Sequence, residues 1–168
     1  MAKATEKTRT MFTTRIDLDP HAREQLVALL NQQLADTLDL YSQTKQAHWN
    51  VKDVQFYQLH ELFDELASQL HEYIDTIAER ATTLGGLAMG TMRIAARNSR
   101  LDEYPSDAVD SLEHVEALAT RFASYAATTR AAIDQALRLD DQSTADLFTE
   151  ISRSMDKSLW FLEAHLQS

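Results

Sequence analysis

Four stretches of the chain return an apolar residue every three or four positions, and the breaks between them run short, long, short. That period belongs to an amphipathic helix, which must bury its apolar face on a neighbour. The first stretch opens at Asp19-Pro20, an N-cap followed by proline at the first helical position. Leu26, Leu29, Leu30, Leu34, Leu38 and Tyr41 carry it towards His48, and a polar break spans Asn50 to Asp53. The second stripe is Leu59, Leu62, Phe63, Leu66, Leu70, Tyr73, Ile74 and Ile77, ended by Gly85-Gly86. Residues 87–104 read as a crossover with room for a short helix over Thr91–Ala96. The third helix is predicted to begin after Pro105, capped by Ser106 or Asp107, with Val109, Leu112, Val115, Leu118, Phe122, Tyr125 and Ile133 as its stripe. Asp140-Asp141 separates it from the fourth, which carries Phe148, Ile151, Met155, Leu159, Leu162 and Leu166. Three glycines and two prolines in 168 residues leave little material for a turn-rich β architecture. The pattern predicts an all-α four-helix bundle, with a short helix in its long crossover.

Ahead of the bundle, residues 1–15 read as a flexible basic arm, and residues 16–168 as the folded body. Lys3, Lys7, Arg9 and Arg15 against Glu6 give the arm a net charge of +3, whereas the whole chain carries −10. An acidic body draws cations and repels phosphate, so any contact with DNA falls to the arm. No run approaches the roughly 18 apolar residues of a membrane span, and the N-terminus lacks a signal-peptide core. The expectation is a cytoplasmic protein without membrane contact, nucleoid-associated if DNA is bound. With no cysteine, any metal is held by nitrogen and oxygen donors.

Such donors are strung through one stretch: His48, His60, Asp64, Asp75 and Glu79. His60 and Asp64 are four apart, as are Asp75 and Glu79, so each pair projects side by side from one helix. At about 100° per residue all four lie within an arc of roughly 100°. Yet the two pairs are separated by ~16 Å along the axis, too far to share a metal cluster. The pairs have a common midpoint near Gln69 and Leu70. A two-fold axis there would set His60 opposite Glu79 of a partner subunit, and Asp64 opposite Asp75 of the partner subunit. The spacing suggests two mixed His/carboxylate sites per dimer; the plainer alternative is a solvated acidic helix face.

Four helices joined short–long–short have ferritin-like connectivity. Iron sites inside such a bundle use Glu-x-x-His pairs, and none occurs in this chain. That absence favours a site between subunits. The segments KQAHWNV, FYQLHELFDEL, DTIAERATTLGG and SRSMDKSLWFLEAH resemble the Dps family, the DNA-binding proteins from starved cells, or mini-ferritins. The resemblance covers nearly the whole chain from about residue 15. One departure is Asp53-Val54, where the family commonly has a glycine in the turn after HWN. The resemblance implies a dodecameric cage, with a ferroxidase centre of two irons at each end of every dimer interface. It assigns His48, Asp75 and Glu79 to the tighter iron position, His48 facing carboxylates of the opposite subunit, and His60 and Asp64 to the weaker one. It implies Fe(II) oxidised by hydrogen peroxide, ferric mineral stored inside, and DNA protected from oxidative damage. A DNA-compacting scaffold with secondary iron binding is the rival reading, and a purely structural bundle a third.

Trp49 and Trp160 read as packing residues. Similarity also places Trp49 beside the iron site, where its oxidation would intercept radicals. His71 reads as an interfacial structural histidine, His21 and His165 as surface or helix-end residues, and Met89 and Met92 as core fillers. Asp140, Asp141 and Asp146 fit capping and first-turn roles. By resemblance, Asp141, Asp146 and Glu150 would instead line an acidic three-fold pore for Fe(II).

Overall fold

The computed structural model describes residues 11–167. Its helices are α1 (Pro20–Asn50), α2 (Phe56–Thr83), α3 (Met92–Asn98), α4 (Ser111–Arg138) and α5 (Gln142–Glu163). α1 packs along α2 and α4 along α5, the two hairpins meet chiefly through α1 and α4, and α3 lies on α1. This is the expected bundle with a short helix in the crossover. The core is drawn from all four long helices, with Leu30, Phe63, Leu70, Phe122, Tyr125, Phe148 and Ile151 wholly buried. Each such apolar side chain contributes about 1.5–3 kcal/mol by leaving water.

Local chemistry explains the boundaries. Asp19 caps α1, accepting from the amides of His21 and Ala22 at 2.9 and 3.0 Å, and Pro20 supplies the first helical residue. α2 ends in a Schellman turn: Gly86 N–H donates to Ala81 O and Gly85 N–H to Thr82 O. Gly85 takes the left-handed φ of +87°, and a Cβ on Gly86 would lie 2.4 Å from Val27. α4 ends in the same turn built without glycine. Asp140 holds φ +58°, Asp141 N–H donates to Ala136 O and Asp140 N–H to Leu137 O. Asp141 then caps α5 through Thr144 N–H.

The start of α4 corrects the sequence expectation. The helix begins at Ser111, not after Pro105, because Asp110 and Glu113 form a capping box. Val109 and Leu112 are therefore half-exposed rather than core. Met89 and Met92, expected as core fillers, are also exposed.

α1 is buried on two sides. Its polar residues Asn31, Gln32, Asp36, Asp39 and Gln43 meet the crossover. Asn31 donates to Leu87 O and accepts from Met89 N–H. Gln32 donates to Asn98 O, and Gln43 donates to Asp102 O. Asp36 accepts the main-chain and side-chain N–H groups of Arg100. At the other end of the chain, Phe12 N–H donates to Gly85 O at 2.7 Å. Among the described residues Met11 and Phe12, inside the segment expected as a flexible arm, thus touch the body. Lys3, Lys7 and Arg9 lie outside the described residues, and Arg15 is exposed.

Candidate metal centre

His48 lies in the C-terminal turn of α1, and His60 and Asp64 occupy the second and third turns of α2. The short α1–α2 connection sets them face to face. That connection depends on Asp53, whose φ of +84° is the left-handed conformation a glycine adopts without strain. Asp53 recovers the difference through its side chain, which accepts from Gln55 N–H at 2.8 Å and Ser111 N–H at 3.1 Å. The first of these bonds, with help from Ser111, holds its carboxyl below the usual carboxylate range. The aspartate that departs from the family pattern therefore keeps the turn and ties it to α4.

The two imidazoles are stacked, with centroids 3.8 Å apart and planes at 22°. Their anchoring is crossed: His48 Nδ1–H donates to His60 O at 2.8 Å, and His60 Nδ1–H donates to His48 O at 2.9 Å. Main-chain carbonyls accept only, so both Nδ1 atoms carry a proton and leave Nε2 as the ring position that could face a metal. His48 Nε2 stands 3.9 Å from Asp64 Oδ1. Asp64 Oδ1 at present accepts from Lys45 Nζ at 2.6 Å. That ammonium bond, aided by the nearby imidazoles, keeps the Asp64 carboxyl below its ordinary pKa.

Asp75 and Glu79 are exposed further along α2, and their carboxylates make no hydrogen bond or ion pair among the described residues. Within one subunit the structure brings His48, His60 and Asp64 together and leaves Asp75 and Glu79 apart. No three His, Asp or Glu side chains among the described residues form a complete metal-binding group.

Other expectations divide. Trp49 and Trp160 are 67% and 61% exposed, so neither packs in the subunit core. Trp49 lies under Lys45 Nζ, 5.8 Å from its ring centroid. His71 is exposed, with its ring 5.7 Å from that of Tyr41, and His21 and His165 lie exposed at helix ends. Asp141 is corrected as a pore residue. It is buried, receives Arg80 Nη2 at 2.8 Å on both oxygens and accepts from the Thr144 hydroxyl. Asp146 and Glu150 are exposed one turn apart on α5. Sequence reasoning missed Lys45, although it stands three residues before His48 on the same helix face.

A ferritin-like domain model matches residues 27–168. The bundle and its partial histidine–carboxylate set thus define a ferritin-like protein. A "DNA protection during starvation protein" of Agrobacterium fabrum is 45% identical over 154 residues, covering 92% of this chain and 95% of the relative. DpsC from Streptomyces coelicolor superposes with a TM-score of 0.91 at 30% identity, over 98% of this chain and 97% of that one. The Dps protein of Vibrio cholerae O1 has a TM-score of 0.87 at 28% identity, covering 95% of this chain and 100% of that one. It is described as a member of the ferritin-like diiron-carboxylate superfamily. The chain belongs to the Dps family.

Proposed function

We propose that this chain oxidises Fe(II) with hydrogen peroxide at centres shared between two subunits, and stores the ferric product inside a dodecameric cage. The observation that carries this reading is the crossed anchoring of His48 and His60. It aims two lone pairs at the space beside Asp64, in a set too small to hold iron alone. A two-fold axis through the middle of α2 would bring Asp75 and Glu79 of the partner subunit to that space. Carboxylate and imidazole suit Fe(II), and the carboxylates also stabilise Fe(III). Two irons held together give both electrons to one peroxide, yielding two Fe(III) and two hydroxides. A lone Fe(II) gives one electron and releases hydroxyl radical. Removing iron and peroxide together protects DNA, consistent with what the Agrobacterium relative is named for. Among the described residues no helix is long and apolar enough to cross a membrane, and the activity fits a cytoplasmic setting.

The test mixes subunits. One parent carries His48→Ala and His60→Ala, the other Asp75→Asn and Glu79→Gln. Each parent alone should lose fast peroxide-dependent Fe(II) oxidation while still assembling. A mixed dimer has one intact centre and collects both lesions in the other, so co-assembly should restore activity. Verified mixed dimers without recovery would refute shared centres. The DNA-scaffold reading rests on residues 1–15. Deleting them should abolish low-salt DNA shifts, if any occur, and spare iron oxidation.

A further inference from the structure

Tyr104 precedes Pro105 in the crossover, and His114 lies in the first turn of α4. The Tyr104 hydroxyl meets His114 Nδ1 at 2.5 Å, with the rings 6.1 Å apart and inclined by 15°. Among the described residues no other tyrosine hydroxyl is bonded to a base. Tyr125 shares its hydroxyl with Thr37 at 2.6 Å, an alcohol that cannot keep a proton. His114 is 1% exposed, and its Nε2 has no hydrogen-bond partner. Tyr104 itself is half-buried and opens on a surface cleft of about 410 Å³ that it lines with Gln43 and Gln46.

We propose that Tyr104 and His114 form a proton-coupled redox pair, which reduces the radical oxidant released when a centre holding a single iron meets peroxide. For its oxidant this rests on the iron reading above.

A phenol that loses an electron becomes a very strong acid, so oxidation is easy only where a base takes the proton at once. Burial pushes the Tyr104 hydroxyl above its ordinary pKa, and the residue starts as a phenol. Burial also holds the His114 imidazole below its ordinary value, against the raising effects of the Asn50 carbonyl and the Glu113 carboxylate. It is therefore a neutral acceptor at pH 7. Once protonated, the ring faces that carbonyl at the C-terminal, electronegative end of α1, together with Glu113. Asn50 follows His48 and Trp49 on α1, so the pair stands behind the helix end that carries a metal ligand.

The steps balance. One Fe(II) and peroxide give Fe(III), hydroxide and hydroxyl radical. The radical takes an electron from Tyr104 and becomes hydroxide, while the O–H bond breaks and an N–H bond forms at His114 Nδ1. A second Fe(II) returns an electron, the proton moves back to the phenol, and a second Fe(III) results. The sum is the two-electron reduction of peroxide by two Fe(II), without free hydroxyl radical as a product.

The full-length protein is tested in two ways. In the first, one Fe(II) per centre is followed by peroxide and freeze-quenched for electron paramagnetic resonance, with ferric absorbance recorded in parallel. In the second, iron-free protein is oxidised by a flash on ruthenium tris-bipyridine with persulfate. Both should give a neutral tyrosyl radical, and Tyr104→Phe should lose it down to the background of the other four tyrosines. Tyr57→Phe, an exposed control, should keep it. His114→Gln, which accepts a hydrogen bond but does not retain a proton, should lose the radical with the phenol still present. An undiminished radical in Tyr104→Phe overturns the proposal even if His114→Gln fails to fold. Ferric product with no radical in either experiment overturns the pair and leaves the iron reading standing. No ferric product overturns the iron reading, whereas a flash-generated radical with none from iron and peroxide overturns only the coupling.

Discussion

At Asp64 the carboxylate already has a cation, the Lys45 ammonium 2.6 Å away. On the proposed iron reading, an incoming Fe(II) would have to displace it, so the position on His60 and Asp64 would fill in competition. Lys45→Met keeps the apolar stem and removes the charge. Exposed ion pairs of this kind hold about 0.2–1 kcal/mol, so the variant should bind the second Fe(II) a few-fold more tightly in calorimetric titration. Weaker binding would show instead that Lys45 holds Asp64 in its productive pose. Two other aspartates make a paired comparison, since Asp53 and Asp140 both hold positive φ. Asp140 uses its side chain in no hydrogen bond among the described residues, and Asp140→Gly should raise stability by up to about 1 kcal/mol. Asp53→Gly relieves the same strain but forfeits the bonds to Gln55 and Ser111. It should lower Tm and loosen the turn before His60, and a Tm gain at both positions would deny Asp53 its tethering role.

Among the elements, the junction of α2, α4 and α5 turns on one carboxylate. Asp141 closes the turn after α4, caps α5 and binds Arg80 of α2. Burial works to raise its pKa, but Thr144 and Arg80 outweigh that and hold the carboxyl below the ordinary carboxylate range. A depressed carboxylate stabilises the fold above its unfolded pKa, and the contribution is lost as pH falls through the lower folded value. Asp141→Asn should therefore cost about 1.5–3 kcal/mol at pH 7. The Tm gap to the parent should close in thermal melts as pH falls below 3.8. A constant gap down to strongly acid pH would deny the charge its part.

The helices themselves were legible in sequence because an apolar period survives without tertiary context. Asp19-Pro20, Gly85-Gly86 and Asp140-Asp141 marked ends correctly, since caps and left-handed turns are local. The start of α4 was misplaced because Pro105 offered a competing signal five residues before the Asp110–Glu113 box. Periodicity tells which residues share a face, not what the face meets. Hence the second buried side of α1, polar towards the crossover, was invisible, as was the exposure of Trp49 and Trp160 on the single subunit. The candidate ligands could be listed from spacing, whereas Lys45 and the Tyr104–His114 contact depend on which elements pack together.

For the whole molecule, a closed dodecamer of this 19.1 kDa chain has a mass of roughly 230 kDa. Light scattering at neutral pH and micromolar concentration should find it, and a dimer as the largest species would leave no storage cavity. Asp146→Asn should then slow uptake at limiting Fe(II) more than it alters oxidation at the centre. An unchanged entry rate would return Asp146 to a first-turn role on α5. Inside such a cage every centre works among oxidants that attack its own ligands. The carbonyl that aims His60 belongs to the backbone of residue 48, and the one that aims His48 to the backbone of residue 60. Oxidation of one ring leaves the other's carbonyl in place. On the proposed iron reading such a centre would lose one donor at a time, with the surviving imidazole still held by its carbonyl.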